Sequence, residues 1–166
     1  MIDIILVVFI IITLVTDLKY RKIFNFITLP AIILGLGVNT ISGGFAGFMH
    51  SFLGMAAGFC FLIVIYLLGG VGAGDVKYMA VVGSLKGVKF LVLGGLYGAI
   101  AAGAYAVIML AIRKRLFYTL NKVVIALVCF ISSKKKESLE FDPGDSLKLP
   151  YSVFLSIGMI IRLIAN

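Results

Sequence analysis

The sequence is poor in charge and in the side chains that build most metal and disulfide sites. Only 13% of its 166 residues are charged, 62% are hydrophobic, and the mean hydropathy is +1.19. It contains one histidine and two cysteines, Cys60 and Cys129, which do not form a Cys-x-x-Cys pair. This scarcity argues against a zinc module, a disulfide framework or a soluble globular domain. We expect both cysteines to be buried, unpaired thiols, and we expect no metal or cofactor.

Long apolar runs dominate the rest of the chain. A membrane-spanning helix needs about 20 residues, so this length allows six or seven spans and no sizeable soluble domain. We predict an all-α polytopic membrane protein with about six transmembrane helices, built as one membrane-embedded domain over residues 1–166. The apolar runs predict helices at 2–18, 26–41, 51–69, 76–85, 89–112, 116–132 and 149–165.

The basic residues predict an orientation. Lys19, Arg21 and Lys22 follow the first apolar run, Lys77 follows Asp75, and Arg113–Arg115 follow the fifth run. Residues 39–50 contain no Lys or Arg. The positive-inside rule therefore places the N-terminus outside and these clusters in the cytoplasm. Lys86, Lys89 and Arg162 then fall on the outer side. We attribute the net charge of +8 to basic residues that set the membrane orientation, and we expect no nucleic-acid partner.

Residues 116–132 do not fit a simple span, because basic clusters lie on both sides of them. Their polar and apolar residues separate onto two helix faces, which is typical of a helix lying in the membrane interface. We interpret residues 113–148 as a cytoplasmic or interfacial arm containing this amphipathic helix. A seventh span is the alternative.

Glycines at helical spacing predict close contacts between helices. Gly54 and Gly58 form one Gly-x-x-x-Gly pair, Gly94 and Gly98 form another, and Gly103 follows. Small residues at this spacing let the backbones of membrane helices approach closely.

Two aspartates interrupt the apolar part of the chain. Asp17 closes the first apolar run, and Asp75 follows the glycine-rich residues 69–74. Acidic residues within membrane segments are expensive and usually functional. Under the predicted topology, both lie at the cytoplasmic membrane face.

Two carboxylates within hydrogen-bond reach would share a proton and titrate as a pair. The ionised one could take a proton from a water molecule attacking an amide, while its partner protonates the leaving amine. Gly72 and Gly74 would permit unusual backbone angles and close approach of a substrate strand. Taken singly, however, Asp75 also fits a helix cap, and Asp17 also fits an ion-pair partner of the nearby basic residues.

These residues resemble a known family, the type IV prepilin peptidases, which are membrane aspartic proteases with a Gly-x-Gly-Asp motif. Gly69–Lys77 is similar to the family string Gly-Gly-x-Gly-x-Gly-Asp-Val-Lys. Asp17 with Ile23–Thr28 resembles the first catalytic aspartate and its downstream Ile-Pro-Asn-x-Leu/Ile-Thr. Leu149–Ser152 resembles the Pro-aromatic start of the last helix, so the resemblance covers nearly the whole chain.

The resemblance implies a catalytic pair, Asp17 and Asp75, that needs no metal. The residues it implies for substrate binding or loop shaping are Gly72, Gly74, Lys77 and Asn25. The implied partner is a prepilin-like precursor of a type IV pilus or secretion system. Its short cytoplasmic leader would be cut after a glycine at the edge of the lipid bilayer.

The sequence departs from the family pattern at two turns. Phe24 stands where Pro is usual and Ser152 where Gly is common, although neither substitution is expected to touch the acids. Larger members carry an additional N-terminal region with Cys-x-x-Cys pairs that N-methylates the trimmed pilin. Few residues precede the first predicted helix here, so we expect no methyltransferase activity.

Other functions fit less well. Presenilin and signal peptide peptidase also use Gly-x-Gly-Asp but place a Tyr before the first Asp, where this chain has Thr16. A proton- or cation-coupled transporter could use Asp17 and Asp75 as a relay, with acids near the bilayer midplane. A non-catalytic scaffold for pilus assembly is a further alternative, and the sequence does not predict an oligomeric state.

Overall fold

The computed structural model describes residues 1–67, 71–112 and 151–165. They belong to two compact units, one of residues Met1–Ala101 with Pro150–Asn166 and one of residues Ala102–Leu149. The described elements are the helices α1 (Ile2–Tyr20), α2 (Asn25–Leu67), α3 (Ala73–Ile112) and α4 (Tyr151–Ile164). No strand occurs in these ranges, which confirms the all-α prediction for the described part of the chain. The prediction of a single domain with an arm at 113–148 is not tested.

The two long helices, α2 and α3, each contain one non-helical glycine. Gly44 has φ 57° and ψ −140°, and Gly87 has φ 76° and ψ −179°. The chain folds back at Gly87, as the distance between Met79 and Gly95 shows. A Cβ at Gly95 would lie only 2.9 Å from Cε of Met79. In a straight helix these residues would be about 24 Å apart. Both turns fall in the breaks predicted between 41 and 51 and between 85 and 89, and both need the positive φ that glycine readily adopts.

Side chains of α2 satisfy the backbone where α3 turns. The non-helical Gly87 removes helical partners from the carbonyls just before it. Asn39 Nδ2 donates to the carbonyls of Ser84 and Leu85 at 3.1 and 3.2 Å, and Ser51 Oγ donates to the Ser84 carbonyl at 2.5 Å. Buried carbonyls need such partners, so these contacts attach α2 to the turn of α3.

Glycines bring α2 and α3 into backbone contact. A Cβ at Gly54 would overlap the carbonyl oxygen of Gly83, and one at Gly58 would overlap the carbonyl of Met79. The predicted packing role of the first glycine pair is therefore confirmed.

The second glycine pair packs against α4. A Cβ at Gly158 would overlap the backbone of both Gly94 and Gly98. By contrast, a Cβ at Gly103 would meet no described atom within 4 Å, so the described residues give no packing role for Gly103.

The first half of α3 is the centre of the first unit. Residues 78–85 are all buried, which means that this segment is covered on every side. Its neighbours in the core include Leu6 and Ile10 of α1 and Met159 of α4. The predicted helix 76–85 thus forms the core, although it begins earlier, at Ala73.

The outer surface is strongly apolar. Phe26 and Ile41 are each 87% exposed, and many other large apolar side chains are exposed as well. Two described helices, Asn25–Leu67 and Ala73–Met109, are long and apolar enough to cross a membrane. Six spans are not confirmed by this finding. Such an apolar surface suits a lipid environment better than water.

The prediction for Cys60 is wrong in one respect. Cys60 is free, but it is exposed, because it lies on the outer face of α2 between the exposed Phe59 and Phe61. Cys129 and the predicted interfacial helix 116–132 lie outside the described residues.

One end of the first unit collects the residues that were predicted on the outer side. Lys86 Nζ forms an ion pair with Asp3 Oδ1 at 2.6 Å. Asp3, Lys86, Lys89 and Arg162 all line one cavity of about 570 Å³ at this end. Which side of a membrane this end faces stays a prediction.

We predict that Gly54→Ala lowers the free energy of unfolding by about 1–3 kcal/mol, because the added methyl group has no room beside Gly83. The matched control is Gly37→Ala in the same helix, where a Cβ would meet nothing within 4 Å. It should be neutral or stabilising by up to about 1 kcal/mol. Unfolding in mixed detergent micelles measures both values. Equal stability of the two variants would contradict the packing described above.

Candidate active site

Asp17 lies in the last turn of α1, where the helix is about to end. Arg21 adopts a left-handed conformation at φ 51° and caps the helix, with its N–H donating to the Asp17 carbonyl at 2.8 Å. The side chain of Asp17 is half-buried, and its Oδ2 accepts a hydrogen bond from the hydroxyl of Ser152 in α4. Asp17 is therefore supported by a helix that is distant in sequence.

Asp75 lies in the first turn of α3. The N–H of Gly72 donates to Asp75 Oδ2 at 3.3 Å, while the Asp75 N–H donates to the Gly72 carbonyl at 3.1 Å. The contact from the Gly72 N–H to the Asp75 carboxylate corresponds to one half of a capping box, in which an acidic side chain at the third helical position binds back to the N–H of the N-cap residue. The capping interpretation of Asp75 and a functional role are thus compatible.

The two aspartates line one cleft of about 500 Å³. All six residues predicted for the site contribute to this cleft. Its lining consists of Asp17, Arg21, Lys22, Ile23, Phe24, Asn25, Gly72, Ala73, Gly74, Asp75 and Lys77. Three helix termini and two connecting segments therefore meet where the acids are.

Asn25 and Lys77 join the starts of α2 and α3 beside the acids. Lys77 Nζ donates to Asn25 Oδ1 at 2.8 Å. This hydrogen bond links the segment after α1 to the helix that carries Asp75, and so it shapes one wall of the cleft.

The glycines before Asp75 act differently from what the sequence predicts. In the described chain, the glycines with positive φ are Gly44 and Gly87, so neither Gly72 nor Gly74 uses an unusual backbone angle. Gly74 is instead in close contact with Ile23, because a Cβ there would lie 3.2 Å from Cγ1 of Ile23 and would require this side chain to shift slightly. Gly72 contributes its N–H to Asp75 and is itself exposed.

Ser152 is the contact that sequence reasoning missed. The expectation that neither departure from the family pattern touches the acids is wrong for Ser152, which donates directly to Asp17. The Pro-aromatic string before it did mark the start of a helix, but nothing in the sequence tells which helix that start will meet. Phe24, the other departure, lines the cleft.

The cleft carries mixed charge and no evident metal site. Arg21, Lys22 and Lys77 line it together with the two acids. Among the described residues, no group of three or more His, Cys, Asp or Glu side chains could hold a metal ion.

Comparison with known proteins assigns this chain to a family. Residues 4–107, which include both aspartates and the Gly-x-Gly-Asp string, match the type IV leader peptidase family. The chain belongs to this family. The suspected family is thereby confirmed, although Leu149–Ser152 lies outside the matched residues, and the family together with the long apolar helices identifies a membrane protein.

A curated relative supports the same assignment. The prepilin leader peptidase/N-methyltransferase of Bacillus subtilis (strain 168) is 40% identical over 104 residues. The match covers 55% of this chain and 40% of the relative, so it spans less than half of that protein. No solved structure gave a significant match. The expected lack of methyltransferase activity stays a prediction.

We predict that cysteines at positions 17 and 75 can be cross-linked by a short bifunctional thiol reagent, because both side chains line one cleft. The background would be Cys60→Ser with Cys129→Ser. Cross-linking would be measured by intact mass and by loss of maleimide labelling. The matched control pairs position 75 with position 3, which lies about 20 Å along α1 from position 17. Equal cross-linking of the two pairs, or none at 17 and 75, would contradict the arrangement of the cleft.

Proposed function

We propose that this protein is a membrane aspartic endopeptidase that removes the short cytoplasmic leader of a prepilin-like precursor by cleavage after a glycine. One observation carries the proposal: in a member of a leader peptidase family, two aspartates from separate helices line one cleft. A helix cap at Asp75 and an ion pair at Asp17 would each involve only one of the two acids. Neither alternative would require both acids to line the same cleft.

The geometry supports a reaction with water as the nucleophile. Each carboxylate has its Oδ2 held, in Asp17 by Ser152 and in Asp75 by the Gly72 N–H. Each Oδ1 is without a hydrogen-bond partner among the described residues. One ionised carboxylate would take a proton from the attacking water, and the protonated partner would polarise the carbonyl and protonate the leaving amine. Neither step needs a metal ion.

The remaining predicted residues would bind the substrate or shape the loop beside it. Gly72 is exposed at the rim of the cleft, so an extended substrate segment could pass close to its backbone. The Asn25–Lys77 hydrogen bond would hold the opposite wall in place. These residues would contribute less to the reaction rate than the two aspartates, because none of them needs to exchange a proton.

The site would face the cytoplasm at the membrane edge. Lys19 lies in the last turn of α1, which also carries Asp17, and Arg21 and Lys22 follow this helix. Asp3 lies at the other end of α1 with Lys86. The positive-inside rule then places the cleft in the cytoplasm and the N-terminus outside, in a multi-pass protein of the cell membrane. A precursor with a cytoplasmic leader would reach the acids from this side.

Two alternative functions receive less support. A proton or cation relay would place its acids near the middle of the membrane, between broken helices. Asp17 and Asp75 instead lie in terminal turns of α1 and α3. A presenilin-like protease is less well supported, because the family match is to the leader peptidases.

We predict that Asp17→Asn and Asp75→Asn each reduce leader removal by at least about 100-fold, because an amide can neither accept nor deliver the proton. Each variant would be co-expressed with a candidate prepilin, and cleavage would be followed by gel shift and N-terminal sequencing.

The matched control for these variants is Asp3→Asn. Asp3 is an acid of the same helix, but it is 58% exposed at the opposite end, where its ion pair adds little stability. The Asp3→Asn variant should remove the leader as the wild type does. Normal cleavage by either site variant would refute the two-aspartate mechanism.

A further inference from the structure

Ser152 is a buried serine that contacts one of the two acids. It lies in the first turn of α4, it is 1% exposed, and its hydroxyl donates to Asp17 Oδ2. No other side chain among the described residues forms a hydrogen bond with Asp17. A buried hydroxyl next to a carboxylate makes a charge-assisted hydrogen bond, which is stronger than a neutral one.

The rest of α4 holds Ser152 in this place. One turn further along, Ser156 is equally buried, and its Oγ lies 3.1 Å from the hydroxyl of the fully buried Tyr78. Beyond it, Gly158 packs directly on the backbone of Gly94 and Gly98. A shift of α4 along its axis would break both contacts. The position of Ser152 therefore follows from the packed core.

Asp17 needs such an external support. It lies in the last turn of α1, and Arg21 already leaves the helix. A residue in a helix still has more than one staggered χ1 rotamer open to it, so the helix alone does not fix the carboxylate of Asp17. The two acids also differ in how they are held. Asp75 is bound by a backbone N–H of its own loop, whereas Asp17 is bound by the side chain of a remote helix.

We propose that Ser152 is a positioning residue for the reaction. By binding Oδ2 of Asp17 it selects one rotamer of this carboxylate, so that Oδ1 is the oxygen left for the water and for the proton exchange with Asp75. Ser152 itself exchanges no proton with the substrate. This inference rests on the proposed function, and it adds a residue at a position where the family pattern has glycine.

The test compares Ser152→Ala with Ser156→Ala. Both changes remove a buried hydroxyl from the same face of α4, but only the first removes a contact to an acid. We expect Ser152→Ala to lower kcat roughly 10- to 100-fold, as for loss of a hydrogen bond to a charged group. KM should stay within about twofold, because the substrate-binding walls are unchanged. Ser156→Ala should keep a kcat close to that of the wild type, because the backbone contact of Gly158 with Gly94 and Gly98 still fixes α4.

Two further variants separate positioning from stability. Ser152→Thr keeps the hydroxyl and should recover part of kcat, whereas Ser152→Cys keeps the size with a weaker donor and should not. If Ser152→Ala does not accumulate in the cell, Ser152→Cys is compared with Ser156→Ala in its place. Thermal unfolding in detergent would show whether the Ser152 and Ser156 variants are equally folded.

The outcomes distinguish this inference from the proposed function. If Asp17→Asn is inactive while Ser152→Ala and Ser152→Cys match Ser156→Ala in kcat, the positioning role is overturned and the peptidase mechanism stands. If Asp17→Asn cleaves normally, the proposed function itself fails. A lower kcat for Ser152→Ala, with unchanged KM and recovery in Ser152→Thr, supports the positioning role.

Discussion

The structure depends on one physical constraint, the close approach of helix backbones at glycines. Gly54 meets Gly83 so closely that neither position has room for a Cβ, and Gly58 meets Met79 in the same way. These contacts let the first half of α3 lie buried on every side. In a membrane there is little hydrophobic gain from burying one apolar helix against another, so dispersion contacts at short distance supply much of the stabilisation.

The site is a consequence of that packing. Asp75 lies on the first turn of the central segment of α3, and it is held there by the Gly72 N–H. The second half of α3 uses Gly94 and Gly98 to hold α4, and α4 brings Ser152 to Asp17. The acids thus line one cleft at one end of the unit because three helices are placed by contacts far from that cleft. A cavity of different composition, with Lys86 and Asp3, marks the opposite end.

Much of the helical layout could be predicted, because apolar runs and glycine breaks are local signals. The turns at Gly44 and Gly87 fall where the sequence predicts breaks, since no other residue adopts their φ values so readily. Errors arose where a neighbour decides the outcome. Cys60 lies in an apolar run but on the outer face of α2, and Gly74 has no positive φ but is in close contact with Ile23. Neither fact has a local signature.

The sequence by itself determined the membrane class, the pair of aspartates and the family, because composition and an uninterrupted motif are properties of the chain alone. It also predicted that six residues belong to one site, since their strings resemble one pattern. Only the tertiary structure decided that these six residues line one cleft, and that Ser152 completes the support of Asp17. The physical reason is distance along the chain: a contact between Ser152 and Asp17 depends on how α4 packs against α1 and α3, and no local preference encodes that packing.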